Sequence, residues 1–338
     1  MFKKKLSPDY PHYPVMIKEI KNLCYKRKNY NFLDCTFGAG GYSKEFLKNE
    51  NANVTAVDRD LNSEKFASEL KKKYPKRFKF YNEKFSNLDV ILENKKFDFI
   101  IFDLGISSLQ LHSFDRGFSF KSNSKLDMGM GLNSIDASHV VNKFSPETLK
   151  IIFKILGEEK EASIIVKNII SERKKNQIFS GLQLSNIIQK SKKKKFGKKI
   201  NPSTKTFQAL RIFVNKEITE LILGISNAAK LLKPRGKLVV VSFHSIEDKI
   251  VKFFFKNYSN NKSSMSRYIP IKQDEAKNTF FENYKNKIIR PSEKEIKQNY
   301  NSRSAKLRIA VRNNNSFFEP AELKRKFNKY LNIESYHV

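Results

Sequence analysis

Residues 31–60 read NFLDCTFGAGGYSKEFLKNENANVTAVDRD. Phe32-Leu33-Asp34-Cys35-Thr36 is a short apolar run that predicts a buried strand; Gly38-Ala39-Gly40-Gly41 is a turn, and a helix begins at Ser43 and continues to Lys48. A second apolar run, Val54-Thr55-Ala56-Val57, ends on Asp58. Strand, glycine turn, helix and strand, with an acid about twenty residues past the first glycine, make a nucleotide-type βαβ unit. The glycines let backbone approach a ligand closely, and a helix N-terminus favours an anionic group there. A carboxylate at Asp58 is placed to accept hydrogen bonds from two ribose hydroxyls.

The turn lacks the full G-x-G-x-x-G spacing of dinucleotide binders. A GxGG turn preceded by the strand acid Asp34 suits S-adenosylmethionine better, because its methionine end brings no pyrophosphate to cradle. A tight turn without a ligand is the alternative reading of the glycines alone.

Outward from this unit the alternation continues. A helix is expected over roughly 15–28 and another from Glu64 to Lys73, with strands over Arg77–Tyr81 and Phe97–Leu104. The last is apolar on both faces, as buried strands of parallel sheets are. Strands separated by helices predict a doubly wound parallel sheet, an α/β, Rossmann-like fold. The pattern then breaks: 105–131 is rich in Gly, Ser and Asp, and 136–200 reads as all-helical, with candidates near 145–156, 159–174 and 180–191. It resumes with a helix from about 205 to 232, a strand over Lys237–Phe243, a helix near 246–256 and a final strand over Lys306–Val311. The expected organisation is a sheet domain over 1–111 and 205–338, a helical domain inserted at 112–204, and a polar loop at about 257–300.

The chain has 338 residues, 39% of them hydrophobic, enough for a real core. Its 66 Lys and Arg against 34 Asp and Glu give +32, the electrostatic footprint of a polyanion binder. A lysine-biased, solvated surface accounts for part of that excess. Two cysteines, Cys24 and Cys35, exclude a disulfide framework or a cysteine-rich zinc site. The start, MFKKKLSPDY, has no apolar signal core and no run reaches membrane-span length, so a cytoplasmic protein is expected.

In one order along the chain stand HYPVM at 12–16, TFGAGGYS at 36–43, AVDRD at 56–60, FDLGISSLQL at 102–111 and DRGFSF at 115–120. LDM at 126–128, GEE at 157–159, TFQALRIFVN at 206–215, SFHSIEDKIVK at 242–252 and RSAKLRIA at 303–310 follow. On these motifs the chain resembles the bacterial methyltransferases, also called MraW, that modify the N4 of a cytosine in 16S ribosomal RNA. The resemblance implies a Rossmann-like, S-adenosylmethionine-dependent methyltransferase with 16S ribosomal RNA in the small subunit as partner. It also implies that Gly40, Gly41 and Tyr42 line the cofactor's amino-acid end, that Asp58 binds the ribose, that Phe85 lies near the adenine, and that Asp103 and Gln110 close the pocket. Against the family pattern, Tyr42 stands where many relatives carry His and Gly129 replaces a common Arg. Tyr300 and Asn301 stand where Pro and Arg are usual, and Lys205 and Lys249 replace Arg.

Transfer to an exocyclic amine is an in-line displacement, so holding amine, methyl and sulfur in line is the main task. Cytosine N4 is a weak nucleophile, and an acceptor on its N–H groups favours the attacking form. Asp103 follows the fourth strand, where amino-methyltransferases commonly carry an acid or amide before Pro-Pro-Tyr/Phe; here Leu104-Gly105-Ile106 follows instead. Asp103 is the candidate acceptor, with a purely cofactor-binding or capping role as the alternative. His244 is a candidate to bind RNA phosphate or orient the base, or else a structural histidine. Phe118 and Phe120 are candidate stacking faces for an unstacked base, or a satellite core. Lys192, Lys193, Lys194 and Lys195 form the densest basic cluster and are candidate phosphate contacts, or a solvated face. No group has metal-ligand spacing. The rival functions are a DNA amino-methyltransferase, disfavoured by the missing Pro-Pro-aromatic motif, and a catalytically silent RNA-binding assembly factor, disfavoured by the intact glycine loop. The oligomeric state is left open.

Overall fold

The computed structural model describes residues 14–24, 29–107, 110, 114–192, 201–260 and 279–336. The chain divides into two compact units, Met1–Gly105 with Ile222–Leu323, and Ile106–Leu221 with Lys324–Val338.

The first unit is built on a 6-stranded sheet of β1 (Tyr30–Asp34), β2 (Ala52–Asp58), β3 (Phe78–Asn82), β4 (Phe97–Asp103), β5 (Leu232–Ser242) and β6 (Lys306–Val311), in the order β3-β2-β1-β4-β5-β6. The first five run parallel and β6 pairs antiparallel with β5. The apolar run of β4 is buried from Phe97 through Phe102, which explains why it sits at the centre. Phe32 of β1 stacks on Phe46 of the following helix at 3.9 Å and on Phe99 at 5.4 Å between centroids, tying the first βαβ crossover to the neighbouring strand. From β1 the chain goes outward to β2 and β3, then returns to β4 on the other side of β1. That reversal opens a crevice at the carboxyl ends of β1 and β4, where sheets of this topology bind ligands.

Gly224 shows how closely a helix packs on this sheet. A Cβ there would lie 2.5 Å from Phe85 Cδ2 and 3.2 Å from Phe102 Cε1, and the two rings meet edge to face at 5.4 Å. Gly224→Ala is therefore expected to push Phe85 aside and lower the unfolding free energy by about 1–3 kcal/mol, read from urea melts; an unchanged midpoint would show that the ring yields freely.

The second unit is helical. Helices Ala137–Lys143, Pro146–Ile155, Ala162–Arg173, Gly181–Ser191 and Thr204–Asn215 bury Phe144, Phe153, Ile165, Ile188 and Phe213 between them. Their starts are capped as the residue types demand: Asp136 accepts the His139 N–H, Ser145 accepts the Thr148 N–H ahead of Pro146, and Ser180 forms a reciprocal box with Gln183. The single helix expected over 205–232 is two, Thr204–Asn215 and Glu217–Leu231, broken at Lys216 with φ 50°. Asn215 gives the cause: its Oδ1 accepts the Met130 N–H and its Nδ2 donates to the Met128 carbonyl, both at 2.8 Å, a long-range pull that no Gly or Pro announces. Residues 205–221 and those after Leu323, which the sequence reading gives to the sheet domain, fall in this second unit. Phe207, Leu210 and Phe213 are buried, Phe213 packing edge-on against Phe144 of the helical core.

The C-terminal helix, Ala321–Glu334, ends on a buried acid. Glu334 accepts the Ile218 and Thr219 N–H groups at 2.9 and 2.8 Å and the Thr219 hydroxyl, capping another helix from a distance. Burial pushes its carboxyl up to about 8 despite these donors. A folded value above the unfolded one means that its stabilising contribution is full below about pH 4 and is lost as pH rises through 8. Glu334→Gln is expected to flatten the fall in melting temperature between pH 6 and 9; a slope equal to the parent's would assign the pH dependence elsewhere.

Within the stretch expected as a polar loop, Phe280 and Phe281 are fully buried against Phe254, Phe255 and Tyr258, and Glu293–Gln298 is a short helix. Among the described residues no helix is long and apolar enough to cross a membrane.

Candidate functional site

Three carboxyl groups end on the rim of the sheet. Asp34 closes β1 opposite Ala56 and Ile101, Asp58 closes β2 opposite Asn82, and Asp103 closes β4 opposite Val241.

The glycine loop joins the first two. Gly40 has φ +78°, and a Cβ on it would lie 2.8 Å from the Phe37 ring, so both conformation and space require glycine. Its N–H closes a turn on the Phe37 carbonyl at 2.7 Å, and its own carbonyl accepts the Lys44 N–H at 2.8 Å. Gly41 is the first residue of the helix that follows. Gly38 donates its N–H to Asp58 Oδ2 at 2.6 Å, and Asp60 donates to Asp58 Oδ1 at 2.8 Å. Asp58 thus fastens the loop to the end of β2, and the Ser63 hydroxyl also donates to it; three donors leave part of the acceptor capacity of a carboxylate for a further hydroxyl. Asp34 lies beneath, fully buried, accepting the Ser43 hydroxyl at 2.8 Å and the Thr36 N–H at 3.3 Å. Burial raises the carboxyls of both Asp34 and Asp58 to about 6, while their hydrogen-bond donors pull the other way.

Asp103 is held at two points. Its N–H donates to Thr36 Oγ1 at 2.8 Å, its Oδ2 lies 3.2 Å from the Tyr42 hydroxyl, and that hydroxyl donates to the Val15 carbonyl at 2.6 Å. The phenol's one proton is shared between these two acceptors. Burial above all raises this carboxyl to about 8; the Tyr42 contact pulls it down, and the negative Asp34, Glu247 and Glu295 push it further up. Asp103 Oδ1 is buried with no hydrogen-bond partner among the described residues. An orphaned carboxylate oxygen among other acids calls for a ligand that is cationic and rich in donors. S-adenosylmethionine, with a sulfonium, an ammonium and two ribose hydroxyls, has that chemistry.

The remaining candidates are distributed unevenly. Phe85 stands at the end of β3's connection, half-buried against Phe102. Tyr42 is buried, so only its backbone is available to a ligand. Gln110 belongs to the second unit and accepts the Ser107 N–H at 3.0 Å. His244 caps the helix Ser245–Asn257 in a reciprocal box with Glu247, and its buried Nε2, 3.0 Å from Glu247 Oε1, has no hydrogen bond among the described residues; the structural alternative describes this histidine. Phe118 is 6% exposed and is core here rather than an open stacking face. Phe120 is half-exposed and packs edge-on against Phe207. Lys192 is largely buried, its ammonium shared by Glu159 and the Pro202 carbonyl; it acts as a clamp and is not free for phosphate. Lys193, Lys194 and Lys195 lie outside the described residues. The sequence reading missed Thr36, Ser43 and Glu295. No local signal marks them, because each acts on a residue distant in the chain or across the sheet.

Comparison with known proteins identifies the family. The model of the MraW methylase family matches residues 9–313. A protein of Ehrlichia canis named ribosomal RNA small subunit methyltransferase H is 42% identical over 305 residues, 89% of this chain and 99% of that protein. A Rickettsia bellii protein of the same name is 44% identical over 302 residues, 89% of this chain and 98% of its own length. A putative methyltransferase from Streptococcus mutans, solved with SAH, superposes with a TM-score of 0.36 at 11% identity, covering 84% of this chain and 89% of that one, too loosely to add weight. With a family match running from the first strand through the last, this chain belongs to the MraW methylase family.

Proposed function

We propose that this chain transfers the methyl group of S-adenosylmethionine to the exocyclic N4 amine of a cytidine in the 16S RNA of the small ribosomal subunit. The observation that carries the proposal is the acid-lined crevice at the switch point, closed by Asp58 and holding the free oxygen of Asp103. Family membership and relatives above 40% identity named for this activity support the reaction class.

When bound, the cofactor supplies an electrophilic methyl on a cationic sulfonium. Asp58 accepts the two ribose hydroxyls, and the Gly40–Gly41 backbone admits the amino-acid end. Phe85 walls the adenine. Asp103, fixed by Thr36 and Tyr42, presents Oδ1 to the N4 amine and takes the proton that N4 loses as it gains the methyl. A positive charge beside this carboxyl favours its ionised, accepting form, so binding prepares the acceptor. The second unit seats the RNA, with Phe120 and Lys193–Lys195 as its contacts. A substrate on the small subunit places the protein in the cytoplasm.

The test is methyl transfer from labelled cofactor to small subunits from a strain lacking the gene, followed by nucleoside analysis. N4-methylcytidine that disappears with Asp58→Ala is the expected result. Cofactor binding without transfer to subunits, naked RNA or DNA would overturn the substrate assignment, and absence of cofactor binding would leave the assembly-factor reading.

A further inference from the structure

The segment between Thr279 and β6 forms a strap along the free edge of the sheet. Phe281 bridges to Arg312 and Ile289 to Leu307, after which come the helix Glu293–Gln298 and a 3-10 turn over Tyr300–Ser304. The strap enters β6 at Lys306, opposite Ser242, so its last residues stand at the carboxyl rim beside the crevice. It is fastened there from within. Glu295 accepts the Met16 N–H at 2.6 Å, Val15 is bound by the Tyr42 hydroxyl, and Ser302 and Ala305 are buried. Glu295 is close enough to Asp103 to repel its negative form.

The outer surface of the strap has the opposite character. Lys285, Lys287, Arg290, Lys294, Lys297 and Arg303 are exposed, and none meets a carboxylate among the described residues. Tyr300 is 63% exposed, and the Arg303 guanidinium lies 4.2 Å above its ring while donating Nη1–H to the Tyr300 carbonyl. A lysine-rich chain scatters ammonium groups anywhere. An open aromatic ring with a guanidinium held over it, at the rim and among cations that meet no carboxylate among the described residues, is a specific arrangement. Ring and guanidinium are the two side-chain planes on which unstacked bases settle.

We propose that Tyr300 and Arg303 form a platform on which an unpaired nucleotide of the substrate RNA stacks, the strap's lysines and Arg290 holding the adjoining phosphates. The proposal rests on the RNA reading above and names a subsite of it on the sheet unit. Single-stranded RNA is the ligand, since a base within a duplex has no free face to offer.

The test is fluorescence anisotropy with the full chain and a labelled single-stranded RNA ten-mer, against the same sequence as a duplex. Tyr300→Ala is expected to weaken single-strand binding about 10-fold, Tyr300→Phe to restore it, and neither to change duplex binding. Lys287→Ala with Lys294→Ala is expected to reduce the slope of log affinity against log salt by about 0.7 per lost phosphate contact. Cofactor affinity, measured in parallel, reports that each variant is folded. Equal binding by Tyr300→Ala and the parent, or equal weakening for single strand and duplex, would overturn the platform. If the parent binds single strands through Tyr300 yet methylates no small-subunit RNA, the platform stands and the function above falls; if it methylates and Tyr300→Ala binds as well as the parent, the platform alone falls.

Discussion

Asp58→Ala is expected to weaken cofactor binding by about 100- to 10,000-fold. Hydrogen bonds to a charged acceptor contribute about 1.5–3 kcal/mol each, and the proposed site brings two ribose hydroxyls to this carboxylate. The same oxygens hold the Gly38 and Asp60 amides at 2.6 and 2.8 Å. Removing them therefore also releases the glycine loop, whose open form must be reordered before a ligand fits. Asp58→Asn separates the two effects. An amide keeps one acceptor oxygen, but its NH2 must face either a backbone N–H or a hydroxyl, and it brings no charge. Its loss is expected to fall between parent and alanine. Calorimetric titration with S-adenosylhomocysteine measures both. A change below threefold for alanine would remove Asp58 from the ribose site, provided circular dichroism shows the sheet intact.

That the glycine loop and Asp58 are legible in the chain has a physical reason. Both depend on backbone geometry within thirty residues, and a turn that needs φ > 0 must be written in glycine. The buried strand Phe97–Asp103 is equally plain, since β4 has neighbours on both edges and its apolar run is broken before the end only by Asp98, which is paired with Lys233. What escapes the reading is set by contacts between distant residues. Nothing near Lys192 announces that its ammonium belongs to Glu159, so a run of lysines reads as a uniform surface although its first member is a buried clamp. Phe118 reads as an open ring because burial of an isolated aromatic depends on what folds over it. His244 is intermediate: a polar residue three before Glu247 is the pattern of a helix cap, and the cap explains it better than RNA does. Tyr42 is the sharpest instance. Its place in the loop is visible, but its hydroxyl between Val15 and Asp103 follows from the fold alone.

Asp103→Asn is expected to lower kcat by about 100- to 10,000-fold, the usual range for losing a positioned general base, and to make the cofactor-free protein more stable than its parent at pH 8. Both effects have one origin. The carboxyl is buried beside Asp34, Glu247 and Glu295 and sits at about 8 in the ligand-free fold, above its unfolded value near 4. A group raised in this way gives its full stabilisation below the unfolded value and loses it as pH climbs through the folded one. The parent thus surrenders stability between pH 4 and 8, and the uncharged amide does not. A cationic ligand reverses the balance by favouring the ionised form, so binding to the parent should release a proton below pH 8. Affinity should then rise up to tenfold per pH unit until about pH 8 and level off, whereas Asp103→Asn should bind with little pH dependence. Tyr42→Phe supplies the internal control. It removes the hydroxyl that favours ionisation and leaves Oδ1 in place, so the break in the affinity profile should move to higher pH. Melting curves and calorimetry over pH 6–9 on the three proteins test this as a set. A parent whose affinity is flat with pH, or an asparagine variant that turns over normally at saturating cofactor, would assign the accepted proton to another group and leave Asp103 a binding residue only.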